Sequence, residues 1–353
     1  MRAFCEHVWL ENIFAQAERH PIALSDVRHL EANGLIATGS VNEFAIVVSA
    51  HQSVLNNIIT YDNGYCGLEL AYNCEDVVIN NYVSYNDKHG LTLKKCKKVT
   101  VKNYVYYIPG DTQWTSPVGV YHLAAAENVV EDFTLDGFII DMNGISGGRG
   151  IVLDDSPRKR ITIRNGIIKN CGLYGGQAYH SETTGEGLLL ENVHFYNLNL
   201  DGATGQFCFR TWMKNSRIKN CIFDPVQTNV SYALHIRSGA DNSDIFENDF
   251  RGSYTAGVIY IEAGVTGYRI KRNRGYVTEN SGVATFSGDG STTQFAIPHG
   301  LVSEPTGVYV TPLSADAAGD FYVTKDSTYI YVNYLSPPPS GTDNVVLSWR
   351  AEV

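Results

Sequence analysis

The sequence predicts an all-β chain, wound as a parallel β-helix and followed by a small antiparallel β-sandwich. Three observations predict it. Between residues 57 and 273 an asparagine, or once an aspartate, closes a short β-branched run: Asn57, Asn81, Asn103, Asp136, Asn165, Asn192, Asn220, Asn248 and Asn273. Spacings of 22 to 33 residues give about one turn of coil per unit. No helical stripe lies between the runs, and after Asn280 the texture changes to short alternating strands separated by Gly, Pro and Ser.

The unit can be written from Gly150: a glycine, Ile151 to Leu153, a polar corner from Asp154 to Arg160, Ile161 to Ile163, then Arg164-Asn165 and Gly166 to Ile168. Residues 187 to 195 and 217 to 223 repeat its second half in the same register. Side chains alternate across each strand, so one row must be buried, and a single coil cannot bury it alone. An asparagine at each corner tolerates the left-handed backbone of a sharp turn and can bond the amide of the next coil. These asparagines are therefore structural.

Composition bounds the rest. The chain has 353 residues, 18% charged and 44% hydrophobic, enough for one large core and a smaller module. A net charge of -10 argues against a nucleic-acid partner, which needs a basic face. The seven cysteines lack metal or disulfide-framework spacing and read mostly as small core residues. No apolar run reaches membrane-spanning length, so no membrane insertion is expected, and Met1 to His7 lacks the apolar stretch of a signal peptide.

Residues 1–43 are expected to form an N-terminal cap. Within it, 23–34 reads as a short helix with Ser25 as cap and Gly34 as stop, laid over the open edge of the coils. The abrupt start also suits a fragment of a longer protein. Residues 44–281 form about nine coils, with longer corners at 109–117 and 141–148 that suit the walls of a groove. Residues 282–353 form the β-sandwich domain.

Outward positions on the strand after each coil-opening glycine form two columns. The first reads Glu69, Thr92, Tyr121, Val152, Ala178, Cys208, His235 and Tyr260; the second reads Ala71, Lys94, Leu123, Asp154, His180, Arg210, Arg237 and Glu262. Five successive ionisable residues, Asp154 to Glu262, would make a row ~19 Å long at ~4.8 Å per coil. Neighbouring arginines suit carboxylates or sulfates, so the row reads as a groove for an acidic polysaccharide, bound by Arg210, Arg237, His235, Glu262 and Lys94. A salt-bridge ladder on a solvated face is the alternative. A slip of one residue at Gly119 or Gly176 would exchange Tyr121 with His122 and Tyr179 with His180.

β-Elimination or C5 epimerisation of an acidic sugar needs a neutraliser for the carboxylate, a base for the C5 proton and an acid opposite. Arg210 and Arg237 fit the first role, His180 the second, and Tyr121 or Tyr260 the third, with Asp154 alongside. As a groove charge, Arg210 should be removable with little loss of stability. A glycosidase needs two carboxyl groups ~5 to 9.5 Å apart, which Asp154 and Glu262 do not supply. Hydrolysis would recruit Asp155, Glu182, Asp111 or Asp141. Gly147 to Gly150 is glycine-rich, yet no helix follows to receive a phosphate. No motif specifies a metal or cofactor, and calcium is the one kept as an option.

Residues 44 to 276 resemble the right-handed parallel β-helix superfamily of pectate lyases, polysaccharide epimerases and phage tailspike depolymerases. Asn80 to Gly90, with Asn86-Asp87-Lys88-His89-Gly90, is similar to a coil of mannuronan C5-epimerases, which act on alginate. That family's Asp-Pro-His-Glu motif meets Ser49-Ala50-His51-Gln52 here, where the histidine alone is kept. The resemblance implies a second candidate site of His51, Lys88 and His89. The last 70 residues look similar to small C-terminal domains of virus-tail and secreted carbohydrate-active proteins, which implies homotrimerisation or glycan binding. The leading expectation is thus a lyase or epimerase on a uronic-acid polymer, extracellular or virion-associated. Runners-up are a tailspike-type hydrolase and a non-catalytic glycan-binding fibre protein.

Overall fold

The computed structural model describes residues 5–110, 112–122, 129–154, 157–178 and 185–353. They divide into two compact units, Met1–Arg269 and Ile270–Val353. The first is a parallel β-solenoid of about 10 turns whose strands pair only with the coils before and after. On its first sheet Ile22, Ile46, Leu68, Leu91, Val120, Ile151, Gly176, Phe209, Leu234 and Ile259 lie in one register. Two further sheets complete each turn, and apolar rows from all three fill the interior. Phe195, Phe223 and Phe250 stack there at 5.0 and 5.1 Å between ring centres. Each such pair contributes about 0.5–1.5 kcal/mol beyond its buried area.

The opening glycines are required by the tightness of this winding. A Cβ on Gly150 would run into the carbonyl oxygen of Gly175 on the next coil. At the same register the chain later carries Cys208 and Ala233, both fully buried, so only small side chains occupy this row. Six of the cysteines, all but Cys5, are buried.

Asparagines do turn the corner between the second and third sheets. Asn57, Asn81, Asn103, Asn165, Asn192 and Asn220 have φ between 53° and 58°. Their amides bond along the stack, Asn81 to Asn57 at 2.9 Å and Asn103 to Asn81 at 3.0 Å. Three positions differ from the sequence reading. Asp136 pairs with Lys102, so Gly137 (φ 72°) takes the corner. Phe246 pairs with Lys219, so Glu247 (φ 58°) turns, while Asn248 lies inside and accepts a bond from the Cys221 amide. Arg272 (φ 54°) likewise precedes a buried Asn273. The corner demands a backbone without β-branching, and the neighbour of the expected residue meets that demand.

A second corner carries alternating charge. Asp76, Lys98, Asp132 and Arg160 succeed one another on consecutive coils with φ of 52° to 56°. Lys98 reaches Asp76 at 3.4 Å and Arg160 Nη2 reaches Asp132 at 2.8 Å. The Arg160 hydrogen bond holds the Asp132 carboxyl below its usual range. Exposed pairs of this kind contribute little to stability, but their order opposes any slip in coil register.

The N-terminal helix expected over 23–34 is absent. Val8–Gln16, Ile22–Arg28 and Leu30–Thr38 are strands, and the first pairs in parallel with the third. Asp26 and His29 adopt left-handed backbone, and the strand is irregular between Leu24 and Val27. These inserted bends stretch a period of two into an apparent helical spacing. No helix among the described residues covers the first coil, where Trp9 is 74% exposed.

The second unit pairs two three-stranded antiparallel sheets. Glu279–Gly288, Gly341–Glu352 and Gly307–Pro312 form one, and Gln294–Pro298, Tyr329–Tyr334 and Phe321–Lys325 the other. Phe295, Ile330, Val332, Val345 and Leu347 lie in the core between them.

Candidate functional site

The outward face of the first sheet carries the charges that the sequence singled out, with one column rearranged. Register runs Thr92, Tyr121, Val152, Gln177, Arg210, His235, Tyr260. Ala178 and Cys208, expected outward, are buried. Gln177 and Arg210 take their places, because the small-residue row passes through Gly175 and Cys208. Arg210 therefore stands beside His235, not in line with Arg237 and Glu262. Trp212, two residues further along the strand, points out beside Arg237 instead. His180, the expected base, lies outside the described residues, as do Asp111, Leu123, Asp155, Tyr179 and Glu182.

Arg210 is packed on three aromatic rings and locked by one amide. Its guanidinium carbon lies 4.3 Å from the Phe207 ring centre, 5.0 Å from Trp212 and 5.8 Å from Tyr174. Its Nε and Nη2 donate to Gln177 Oε1 at 2.9 and 2.6 Å. Arg237 lies over the other side of the site, 4.7 Å from Trp212. Such contacts contribute roughly 0.5–2 kcal/mol each and hold the cations in fixed positions.

Glu262 ties the remaining members together. His235 Nε2 is 3.2 Å from Glu262 Oε1, Arg237 Nε is 2.7 Å from the same oxygen, and the Ser238 amide donates to Oε2 at 2.8 Å. A carboxylate only accepts, so Nε2 carries the proton and Nδ1 the lone pair. Burial and the neighbouring Arg237 cation hold the imidazole pKa below its ordinary value, against the pull of Glu262. Tyr260, 41% exposed, has its ring centre 4.9 Å from His235 and stacks on Tyr232 at 4.9 Å. Phe207, Tyr174, Tyr232, Trp212 and Gln177 were missed in the sequence. Their signal was aromatic density around a lone arginine, hidden by a row shifted by one or two residues.

The remaining expected residues lie farther from Glu262. Tyr121 is outward and half-buried, 5.3 Å from the His89 ring, and burial raises its pKa. Asp154 follows the strand Arg149–Leu153, and its carbonyl accepts from Arg158 Nη1 at 2.7 Å. Lys94 forms an ion pair with the buried Glu69 and lies 5.0 Å from the Phe44 ring, four coils and ~19 Å from Trp212. Burial pushes the Glu69 carboxyl up despite that cation.

His51, Lys88 and His89 are not brought together. His89 aligns with Cys66 and Phe44 at the start of the first sheet, whereas His51 sits beyond its far end and pairs with Glu75. His89 is buried between Tyr65 and Tyr121, and burial lowers its pKa to about 3. Among the described residues no group of three or more His, Cys, Asp or Glu side chains converges on a metal position. None of their helices is long and apolar enough to cross a membrane.

The fold and this face define a parallel β-helix protein with an aromatic and cationic outer wall. No protein-family model matches the chain, and no curated protein matches it by sequence. Solved structures share its fold. The A-module of the Azotobacter vinelandii mannuronan C-5 epimerase AlgE6 matches with a TM-score of 0.54 at 14% identity, over 70% of this chain. This chain spans 65% of that module. The tailspike protein of E. coli bacteriophage HK620, solved with a pentasaccharide, matches with a TM-score of 0.54 at 12% identity, over 97% of this chain and 68% of its own.

Proposed function

We propose that the wall formed by Arg210, Trp212, His235, Arg237, Tyr260 and Glu262 binds an acidic, uronic-acid polysaccharide and abstracts its C5 proton, as a lyase or C5-epimerase. The observation that carries this reading is the geometry of His235, oriented by Glu262 and set beside Arg210 and Arg237. Arg210 and Arg237 would pair with the sugar carboxylate and stabilise the charge that develops there as the proton leaves. His235 Nδ1 takes the proton, the role the sequence reading gave to His180.

In elimination the C5–H electron pair becomes the C4=C5 double bond as the C4–O bond breaks, and the leaving oxygen takes a proton from the Tyr260 hydroxyl. In epimerisation that bond stays intact and C5 is reprotonated from the opposite face. Hydrolysis fits less well: Asp154 and Glu262 stand four coils apart, ~19 Å, beyond the ~5–9.5 Å that paired carboxyl groups require. The matched structures, an epimerase module and a tailspike solved with a pentasaccharide, agree with a polysaccharide ligand. A polymer of this kind is met outside the cell, where we expect the protein to act, secreted or on a virion.

The test is to incubate the protein with alginate, polygalacturonate and hyaluronan in deuterated water. Unsaturated, ultraviolet-absorbing ends mark elimination, and deuterium at C5 without chain cleavage marks epimerisation. Reducing ends without either would transfer the site to hydrolysis. Binding with no product would leave a glycan-binding fibre.

A further inference from the structure

The second unit carries an aromatic, uncharged sheet face that the acidic-polymer site does not use. On the sheet of Gln294–Pro298, Tyr329–Tyr334 and Phe321–Lys325, alternate residues Phe295, Ile297, Ile330 and Val332 enter the core. Strand alternation then sends Gln294, Tyr322, Thr324, Tyr329 and Tyr331 to the outer side, with Asn333 buried beneath them. Cross-strand register brings them together: Asn333 pairs with Gln294 on one side and Tyr322 on the other, and Tyr331 pairs with Thr324.

Tyr322 is 57% exposed and Tyr329 38%, and the Tyr329 and Tyr331 ring centres are 5.9 Å apart. Between the rings runs an ordered polar line: Gln294 Nε2 donates to Asn333 Oδ1 at 2.8 Å, and Asn333 Nδ2 donates to Thr324 Oγ1 at 3.1 Å. Tyr331 is fixed in turn, its hydroxyl donating to Asp326 Oδ2 at 2.8 Å.

Charge selects the ligand. Asp326, the carboxylate at the rim, is already occupied by the Thr328 and Tyr329 amides, each at 2.7 Å, and by Tyr331, which together hold its pKa down. Lys325 is turned to the Pro305 carbonyl and to Glu304. The opposite sheet is different, presenting Arg350 and Glu352 at 3.3 Å. Apolar ring faces with fixed amides and hydroxyls, and no free cation, match the C–H faces and hydroxyls of an uncharged sugar and offer nothing to a uronate. Three strands at ~4.8 Å and five residues at ~3.4 Å give a platform of roughly 10 by 13 Å, room for two or three sugar rings.

We propose that this face, centred on Tyr322, Tyr329 and Tyr331, is a binding site for a neutral polysaccharide, separate from the acidic-polymer wall of the solenoid. It stands independently of that wall's activity.

Affinity electrophoresis of the full chain tests it, in gels cast with dextran, galactomannan, soluble starch or hydroxyethylcellulose, and with alginate as the acidic control. At least one neutral polymer should retard the protein, and Tyr322→Ala combined with Tyr329→Ala should weaken that retardation tenfold or more. Tyr322→Phe, which keeps the ring, should retain it, and Arg210→Ala should affect the alginate gel alone. Equal melting temperatures for the tyrosine variants would establish that they are folded. The proposal is overturned by undiminished retardation of the double variant, by loss of neutral binding in Arg210→Ala, or by the absence of retardation in every neutral gel.

Discussion

His235 and Glu262 meet at 3.2 Å, and the carboxylate oxygen that receives the imidazole is also the one held by Arg237 at 2.7 Å. One anion thus orients a histidine and a cation at once, and burial together with the cation disfavours protonation of the histidine. Its neutral form is the one that can accept a proton.

This fixes the sign of the pH dependence. A base whose pKa lies below the ordinary histidine value is active above that pKa, so turnover should rise on an acid limb and then stay level toward neutral pH. Removing the Arg237 charge in Arg237→Gln should raise the imidazole pKa and move that limb to higher pH. His235→Asn should lower turnover by about 10²–10⁴-fold with little change in binding. Rates measured across pH check both, and an unmoved limb in Arg237→Gln would remove His235 from the chemistry.

Arg210→Ala should weaken binding of an anionic polymer by roughly 10–100-fold. It should also cost about 1–2 kcal/mol of stability, since it deletes the ring contacts and leaves the nearly buried Gln177 side chain without its guanidinium partner. The sequence alone suggested little loss of stability, because a groove charge looks free until its packing is known. Titration calorimetry and chemical denaturation separate the two effects.

Asp87 is a buried carboxyl inside the coils. It accepts from Thr60, from Ser84, and from the Asn63 amide and side chain, yet burial still raises its pKa to about 6. The folded state therefore binds this proton more tightly than the unfolded state, whose carboxyl is near 3.8. Its contribution is fully present below the unfolded value and is lost as pH rises through about 6. Relative to Asp87→Asn, the protein should gain on the order of 2 kcal/mol between pH near 7 and pH near 4. Paired melting curves of the two proteins at those pH values measure it.

Substitutions at two backbone positions probe the winding. Gly150→Ala places a methyl group against the Gly175 carbonyl and should cost about 3 kcal/mol or more. Asn192→Ala, at φ 53°, should cost about 1 kcal/mol, and Asn192→Gly should recover most of it. Denaturant midpoints rank the three.

The recurrent asparagines, the opening glycines and the alternating apolar triplets were enough to read the solenoid and the change of texture after Asn280. Each reflects a local demand, a left-handed corner or a side chain small enough for the next coil, that leaves its mark at a fixed place in every unit. Corners were harder to place, because Gly137, Glu247 and Arg272 meet the same demand as the asparagine beside them. The false helix over 23–34 arose in the same way, from bends at Asp26 and His29.

By itself, then, the sequence determined the winding and the presence of cationic and aromatic side chains on one outer wall. Tertiary structure decided which of them touch. Misplacing the small-residue row by one or two residues at Gly175 or Cys208 reassigns every later side chain of that strand, and only the pairing of one coil with the next reveals it. That is why Arg210 stands beside His235 and Gln177, and why Glu262 could be recognised as the residue that joins them.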